Sequence, residues 1–333
     1  MKAAENLAPL EMMENCKASS SGSHTEIIEV KETTAFKRAF KFYRRRDKKP
    51  DLTNVLDLRV TDSRFGIFRR RVDTAAVPSH ILDLFKHSIV QDGFRPLNEW
   101  TLTTLEHKPG LYVLNNILTR RGQLEWLQRC LLQYPETPNV TNLTAFGDSG
   151  HNVIKSNGSK LRWVTMGNHY NWTDKVYEEK PSTELPIEIR RLADIITGVL
   201  QISEVKADAV ILNYYPDKAT LSPHVDRSER DIDRPLVSLS LGQSAVYLTG
   251  GTSLDDPVDA ILLQSGDVLW VEGLGSAIIK TPLLLDGQSA GLLVGLANTR
   301  HNCLPTNTPL ARSYYLHARL FSEGKKIFSS YLA

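Results

Sequence analysis

The residues best suited to holding a metal ion are His224 and Asp226, two apart in the stretch ILNYYPDKATLSPHVDRSE (211–229). In an extended segment side chains alternate with period two, so both point to one face. Side by side, an imidazole nitrogen and a carboxylate oxygen hold one face of a cation. Two histidines and one carboxylate, with open positions opposite, form the facial triad of non-haem Fe(II) oxygenases. A His-x-Asp triplet also fits a turn that binds nothing. What strengthens the metal reading is its surroundings, since Asn213 and Tyr215 lie upstream on a β-rich run and a long β-rich region follows.

A metal pair needs rigid elements around it. From residue 209 the chain predicts strands at 209–215, 235–241, 244–248, 259–264, 267–271, 276–281, 290–296 and 313–321. Turn signals separate most of them, among them Asp233-Arg234-Pro235, Gly250-Gly251 and Ser265-Gly266-Asp267. Short strands at such spacing predict a sandwich or barrel. A metal site inside one fits a double-stranded β-helix, or jelly roll. Helical spacing of apolar residues predicts helices near 35–46, 78–89, 121–134 and 184–202, with a strand at 111–117 and a loop at 137–160. The fold class is therefore α+β, mainly β, with supporting helices.

Composition narrows the context. The chain has 333 residues, 41% of them hydrophobic, and a formal charge of +2. Its three cysteines, Cys16, Cys130 and Cys303, have no metal-ligand spacing and are too few for a disulfide framework. The N-terminus has acidic residues and no apolar core of a secretory signal. No apolar run approaches the ~20 residues of a membrane span. An intracellular protein that does not enter the membrane is expected, with nucleus, cytoplasm and mitochondrion left open, and a monomer. Residues 1–30 read as a disordered tail. Beyond them Phe36, Phe40 and Tyr43 form a helical stripe ringed by Lys37, Arg38, Lys41, Arg44, Arg45, Arg46, Lys48 and Lys49. Such a helix is either a solvated face docked by its aromatics or a phosphate-binding face. Arg69-Arg70-Arg71 adds to this basic third.

The motifs NYY (213–215), HVDRSE (224–229), PLVSLSLGQSAVYLTGG (235–251) and SGD (265–267) resemble the AlkB family of Fe(II)/2-oxoglutarate dioxygenases, most closely its animal homologue-one type. The likeness extends upstream through LRWVTMGNHYNW (161–172), PGLYVLNN (109–116) and FKRAFKFYRRR (36–46), and weakens sharply after 272. It implies Fe(II) and 2-oxoglutarate as cofactors and oxidative demethylation of N-methylated bases in DNA or RNA, tRNA included, as in DNA repair or tRNA modification. It implies that His224 and Asp226 hold iron, that Asn213, Tyr215 and Arg319 hold the cosubstrate, and that Trp163, Tyr170 and Trp172 frame the base. Enzymes acting on a base take it out of the stack and hold it between flat side chains. The same aromatics also fit a strand with buried rings.

One departure stands out. The family's distal histidine position, thirteen residues beyond Asp267, is Lys280. Three accounts remain open. His317, which alternates with Arg319, or His301 on a polar loop completes the triad. Alternatively, Lys280 pairs with Asp226 in place of the metal. In the third account, the segment after 275 is an altered end. A nucleic-acid-binding protein that keeps the fold without the chemistry is thus the alternative to the enzyme. The expected organisation is a tail (1–30), a basic helical extension (31–107), the dioxygenase domain (108–322) and a C-terminal tail (323–333).

Overall fold

The run Leu236–Gly242 is buried at every residue but its last. A strand achieves this only when it is paired on both edges and covered on both faces. It lies at the centre of a nine-stranded sheet. The structure, a computed structural model, describes residues 33–45, 50–171, 174, 176–177, 181–201, 206–215, 221–225, 235–271, 280–284 and 315–323. Residues 34–333 belong to one compact unit.

Among the described residues the helices are α1 (Ala35–Tyr43), α2 (Ser79–Gln91), α3 (Arg120–Leu132), α4 (Val153–Asn157) and α5 (Ile187–Val199). The strands are β1 (Ile67–Arg71), β2 (Thr101–Leu105), β3 (Lys108–Asn115), β4 (Val140–Thr141), β5 (Trp163–Gly167), β6 (Tyr170–Asn171) and β7 (Val176–Tyr177). They continue as β8 (Lys206–Tyr215), β9 (Leu236–Gly242), β10 (Ala245–Thr249), β11 (Asp259–Leu263), β12 (Val268–Val271), β13 (Lys280–Leu284) and β14 (Tyr315–Glu323). The large sheet runs β1-β2-β3-β12-β9-β14-β8-β5-β4, and a second sheet runs β11-β10-β13. Neighbours pair antiparallel in both.

Period-two alternation splits each strand of the large sheet between two cores. Val210, Leu212 and Tyr214 on β8, with Val237 and Leu239 on β9 and Trp270 on β12, pack on helix residues such as Phe85, Trp126, Ile189 and Ile196. The opposite face carries Leu236, Leu269, Val271 and Val113, which meet Tyr247, Ile261 and Leu263 of the smaller sheet. Each such side chain contributes about 1.5–3 kcal/mol when fully buried. The space between the sheets is the jelly-roll interior, as the sequence predicted. The outer face of the smaller sheet, with Val246, Leu248 and Leu283, is covered by Phe36 of α1.

Under the large sheet, Asp92 closes α2 and is fully buried. Arg191 of α5 donates to both of its oxygens at 2.9 Å, and an Arg129 nitrogen of α3 lies 3.7 Å away. The carboxylate raises the Arg191 pKa above its ordinary value. Where α3 crosses the loop after α2, a Cβ on Gly93 would lie 2.1 Å from the Gly122 Cα, so two glycines are required there.

Two stretches differ from expectation. The segment 31–107, expected to be a helical extension, carries α1 and α2 but also β1 and β2, which form one edge of the large sheet. The arginines at 69–71 had hidden that strand, because an edge strand with a solvated side carries no apolar alternation. The loop expected at 137–160 contains β4 and α4. Of the strand expected at 276–281, residues 276–279 lie outside the described residues, and positions 280–281 belong to β13. The expected tail 1–30 and the strand 290–296 lie outside the described residues.

Candidate active site between the two sheets

Strand β8 supplies the floor. Its core-facing residues are Val210, Leu212 and Tyr214, so Ile211, Asn213 and Tyr215 face the interior. Tyr215 accordingly packs against Ala245 of the opposing sheet. The register then builds a row across four strands. Trp163 of β5 pairs with Asn213, Asn213 with position 317 of β14, and position 317 with Ser240 of β9. In the next inward row Thr165 pairs with Ile211, Ile211 with position 319, and position 319 with Ser238. Neighbouring strands lie about 4.8 Å apart. The backbone of Arg319 and His317 thus borders the Asn213 floor; the side chains of both lie outside the described residues, as do Asp226, Trp172 and His301.

Ser238 and Ser240 are fully buried. Among the described residues the Ser238 hydroxyl has no hydrogen-bond partner. A buried unpaired hydroxyl costs about 1–3 kcal/mol, so this position calls for a polar partner in the interior.

The roof is formed by His224 and β13. The two backbones pair at one point. The His224 N–H donates to the Lys280 carbonyl at 3.2 Å and the Lys280 N–H to the His224 carbonyl at 3.0 Å. Val225 packs outward against the α1 cluster, so alternation turns His224 inward. Leu283 is likewise outward and Lys280 inward, in register with Thr249 of β10. Lys280 is 1% exposed. His224 Nδ1 lies 3.0 Å from the Ser222 carbonyl. A carbonyl only accepts, so Nδ1 carries the hydrogen and Nε2 the lone pair in the neutral ring. That is the tautomer found at metal-ligating histidines held by a backbone carbonyl.

The turn Ser265-Gly266-Asp267 has a role that the sequence motif did not reveal. The Asp267 carboxylate, 1% exposed, accepts from Gln264 N and Asn116 N at 2.8 Å and pairs with Arg59 at 2.9 Å. Burial pushes its pKa up, against the pull of Arg59 and the two N–H groups. Its backbone carbonyl accepts from Ser240 N at 2.9 Å. Asp267 therefore fixes the end of β9 on which Ser240 stands. Asp267→Ala should lower stability by about 3 kcal/mol, the cost of stranding buried donors and Arg59, as read by urea denaturation. A loss below about 1 kcal/mol would show that the turn holds without it.

At the open end, β6 and β7 form a hairpin in which the Tyr170 and Tyr177 rings lie 4.9 Å apart. Trp163 and Tyr170 are both half-buried. His169 ties the hairpin's neck. Its Nδ1 lies 2.7 Å from Thr165 Oγ1 and its Nε2 3.4 Å from Thr183 Oγ1. This clasp carried no sequence signal, because its partners lie 4 and 14 residues away on different elements. Cys130 is buried and its thiol pKa is pushed up, so it is no nucleophile.

Among the described residues no three His, Cys, Asp or Glu side chains come together as a metal site, and no helix is long and apolar enough to cross a membrane. An Fe(II) site fits the spacing of His224 and Asp226. It does not fit position 280, because the amine facing inward opposite His224 is a donor group when charged and offers no lone pair.

The family model described as 2OG-Fe(II) oxygenase superfamily matches residues 110–275, ending ahead of Lys280. Over 276 residues the chain is 30% identical to the Homo sapiens protein named nucleic acid dioxygenase ALKBH1, covering 77% of this chain and 71% of that one. It is 32% identical over 263 residues to the Schizosaccharomyces pombe tRNA demethylase abh1, covering 68% and 85%. It is 26% identical over 300 residues to the Arabidopsis thaliana DNA N(6)-methyladenine demethylase ALKBH1A, covering 73% and 81%.

Proposed function

The chain belongs to the AlkB family of the 2OG-Fe(II) oxygenase superfamily, and from that premise we propose that it oxidatively removes N-methyl groups from nucleobases of DNA or RNA, tRNA included. The net reaction oxidises the methyl carbon with dioxygen while 2-oxoglutarate loses carbon dioxide to become succinate. The carbon leaves as formaldehyde and the base nitrogen keeps a proton. The family implies Fe(II) and 2-oxoglutarate as cofactors, although the amine at position 280 does not fit the iron set. A purely nucleic-acid-binding role draws no support from relatives whose names are catalytic.

The observation that carries this reading is the pairing of Trp163 with Asn213. It sets the ring that would stack on an extruded base one strand, about 4.8 Å, from the amide that would hold the cosubstrate. Asn213 and Tyr215 orient 2-oxoglutarate from the floor, with Arg319 on the adjoining strand as its carboxylate partner. A guanidinium fork suits a carboxylate bidentately. Trp163 and Tyr170, with Trp172 beyond the described residues, frame the base. The test is mass spectrometry of N-methylated DNA and RNA oligonucleotides incubated with the protein, Fe(II), ascorbate and 2-oxoglutarate. Demethylated base and an equal amount of succinate are expected. Neither product from any methylated substrate would overturn the reading.

We infer that α1 contacts the nucleic-acid backbone. Thr34 caps it by accepting from Lys37 N at 3.4 Å, and Phe36 anchors one side, leaving Lys37, Arg38, Lys41, Arg44 and Arg45 exposed. Replacing Lys41, Arg44 and Arg45 by alanine should weaken binding to all oligonucleotides alike. It should also flatten the plot of log affinity against log salt by about 0.9 per lost duplex contact. An unchanged slope in a salt titration would mark this face as merely solvated.

A further inference from the structure

Among the described residues β1 is the outer strand of the large sheet, paired on one side with β2. Rings and guanidinium groups interleave along its edge: Arg64 and Phe65 lead into it, and Phe68, Arg69, Arg70 and Arg71 follow. Phe65 is 46% exposed and Phe68 50%. Arg64 pairs with Asp62 and lies 5.6 Å over the Phe65 ring, and Arg71 donates to the Glu99 carbonyl. Arg69 and Arg70 have no ion pair among the described residues. Charge alone guards an edge against pairing with another chain, and lysine is the usual guard. Here every cation from 59 to 71 is an arginine, and the exposed rings work against protection. A guanidinium plane binds phosphate bidentately and stacks on flat rings, as an ammonium does not.

The register ties this edge to the candidate site. Val164 pairs with Leu212, and the row runs on through position 318, Leu239, Val268, Leu114 and Leu102 to Arg70. All seven steps of that row are antiparallel, so Trp163, before Val164, and Arg71, after Arg70, lie on the same side of it. Alternation also puts Arg69 and Arg71 on the sheet face of Ile67, which packs in the inter-sheet core, and that is the face of Trp163 and Asn213. Seven spacings of about 4.8 Å make about 34 Å along the sheet. Aromatic rings that stack on unpaired bases, beside cations that follow the backbone, are what a single-strand binding surface requires. We propose that the β1 edge binds a single-stranded polynucleotide flank of the strand whose methylated base sits at Trp163. Phe65 and Phe68 stack on its bases, and Arg69 and Arg70 meet its phosphates. This rests on the reading of Trp163 as a base-framing residue, but it makes a separate claim about a second contact away from the site.

The experiment is fluorescence anisotropy of the full chain with single-stranded oligonucleotides carrying one central N-methylated base. Their flanks are either about three or about fifteen nucleotides, since about 34 Å is roughly ten nucleotides at a 3.4 Å rise. Arg69→Ala with Arg70→Ala should flatten the plot of log affinity against log salt by about 1.4 on the long strands, two contacts at about 0.7 each. The short strands should show no change. Phe68→Ala should weaken binding of the long strands about fivefold or more and spare the short ones. Arg69→Lys with Arg70→Lys should keep the salt slope, which separates lost phosphate contacts from lost folding. The proposal is overturned if long and short strands lose affinity equally. Unchanged binding of the long strands by both alanine variants would also overturn it and leave the edge to an acidic protein segment. Length-dependent loss with no demethylated base from any strand would sustain this proposal and sink the demethylase reading. Demethylation with losses that ignore strand length would do the opposite.

Discussion

Replacing Asp92 by alanine should cost the fold about 3–5 kcal/mol, the range for breaking a buried ion pair by removing one partner. Asp92 is fully buried and bridges three helices, closing α2, receiving both Arg191 bonds from α5 and attracting Arg129 from α3. Its backbone carbonyl also accepts from Trp126 Nε1 at 2.9 Å. Alanine keeps that last bond but strands the Arg191 guanidinium, 19% exposed, beneath the sheet. Because these helices support the face of β8 opposite Asn213, partial loss should reach the pocket as weaker cosubstrate binding before global unfolding. Urea denaturation measures the stability. Asp92→Asn should cost less, since it retains acceptor geometry without the charge. If the alanine variant unfolds within about 1 kcal/mol of wild type, the cluster is not what holds the helices.

Trp163→Ala should have the largest effect on recognition. Stacking of one base on an aromatic ring is worth about 1–3 kcal/mol, or roughly fivefold to a hundredfold in affinity. The loss should fall mainly on methylated single-stranded oligonucleotides, whose damaged base is the one taken from the stack. Trp163 is half-buried at the open end of the pocket, so the variant should retain most of its stability. Competition binding with matched methylated and plain oligonucleotides, alongside thermal melting, separates the alternatives. Equal losses for both ligands together with a marked fall in melting temperature would make Trp163 a core residue and remove it from the lid.

The residues of the candidate site were legible in the sequence to different degrees. His224 and Asp226 were visible because period-two alternation needs only a local extended segment. Asn213 and Tyr215 were visible for the same reason. Asp92, His169 and Asp267 carry their roles through partners far along the chain: Asp92 binds Arg191 on another helix, and Asp267 receives Asn116 N from a distant strand end. No local period encodes such contacts. Strand β1 was missed because an exposed edge with three arginines has no apolar alternation to read.

By itself the sequence determined the mainly β fold with supporting helices, the family, the inward face of β8 and the presence of lysine at position 280. These follow from side-chain period, turn chemistry and ordered motifs, all local along the chain. Only the tertiary structure decided what each of these residues faces. Antiparallel register put Trp163, Asn213, position 317 and Ser240 in one row, although they come from four separate segments. It also placed Lys280 opposite His224, 56 residues apart by their numbers, so that a buried amine lies across from an imidazole. Register depends on hydrogen-bonded pairing between distant strands. A slip of one residue would turn Lys280 outward into the apolar cluster under α1, where burying its charge against Phe36 and Leu248 is unfavourable.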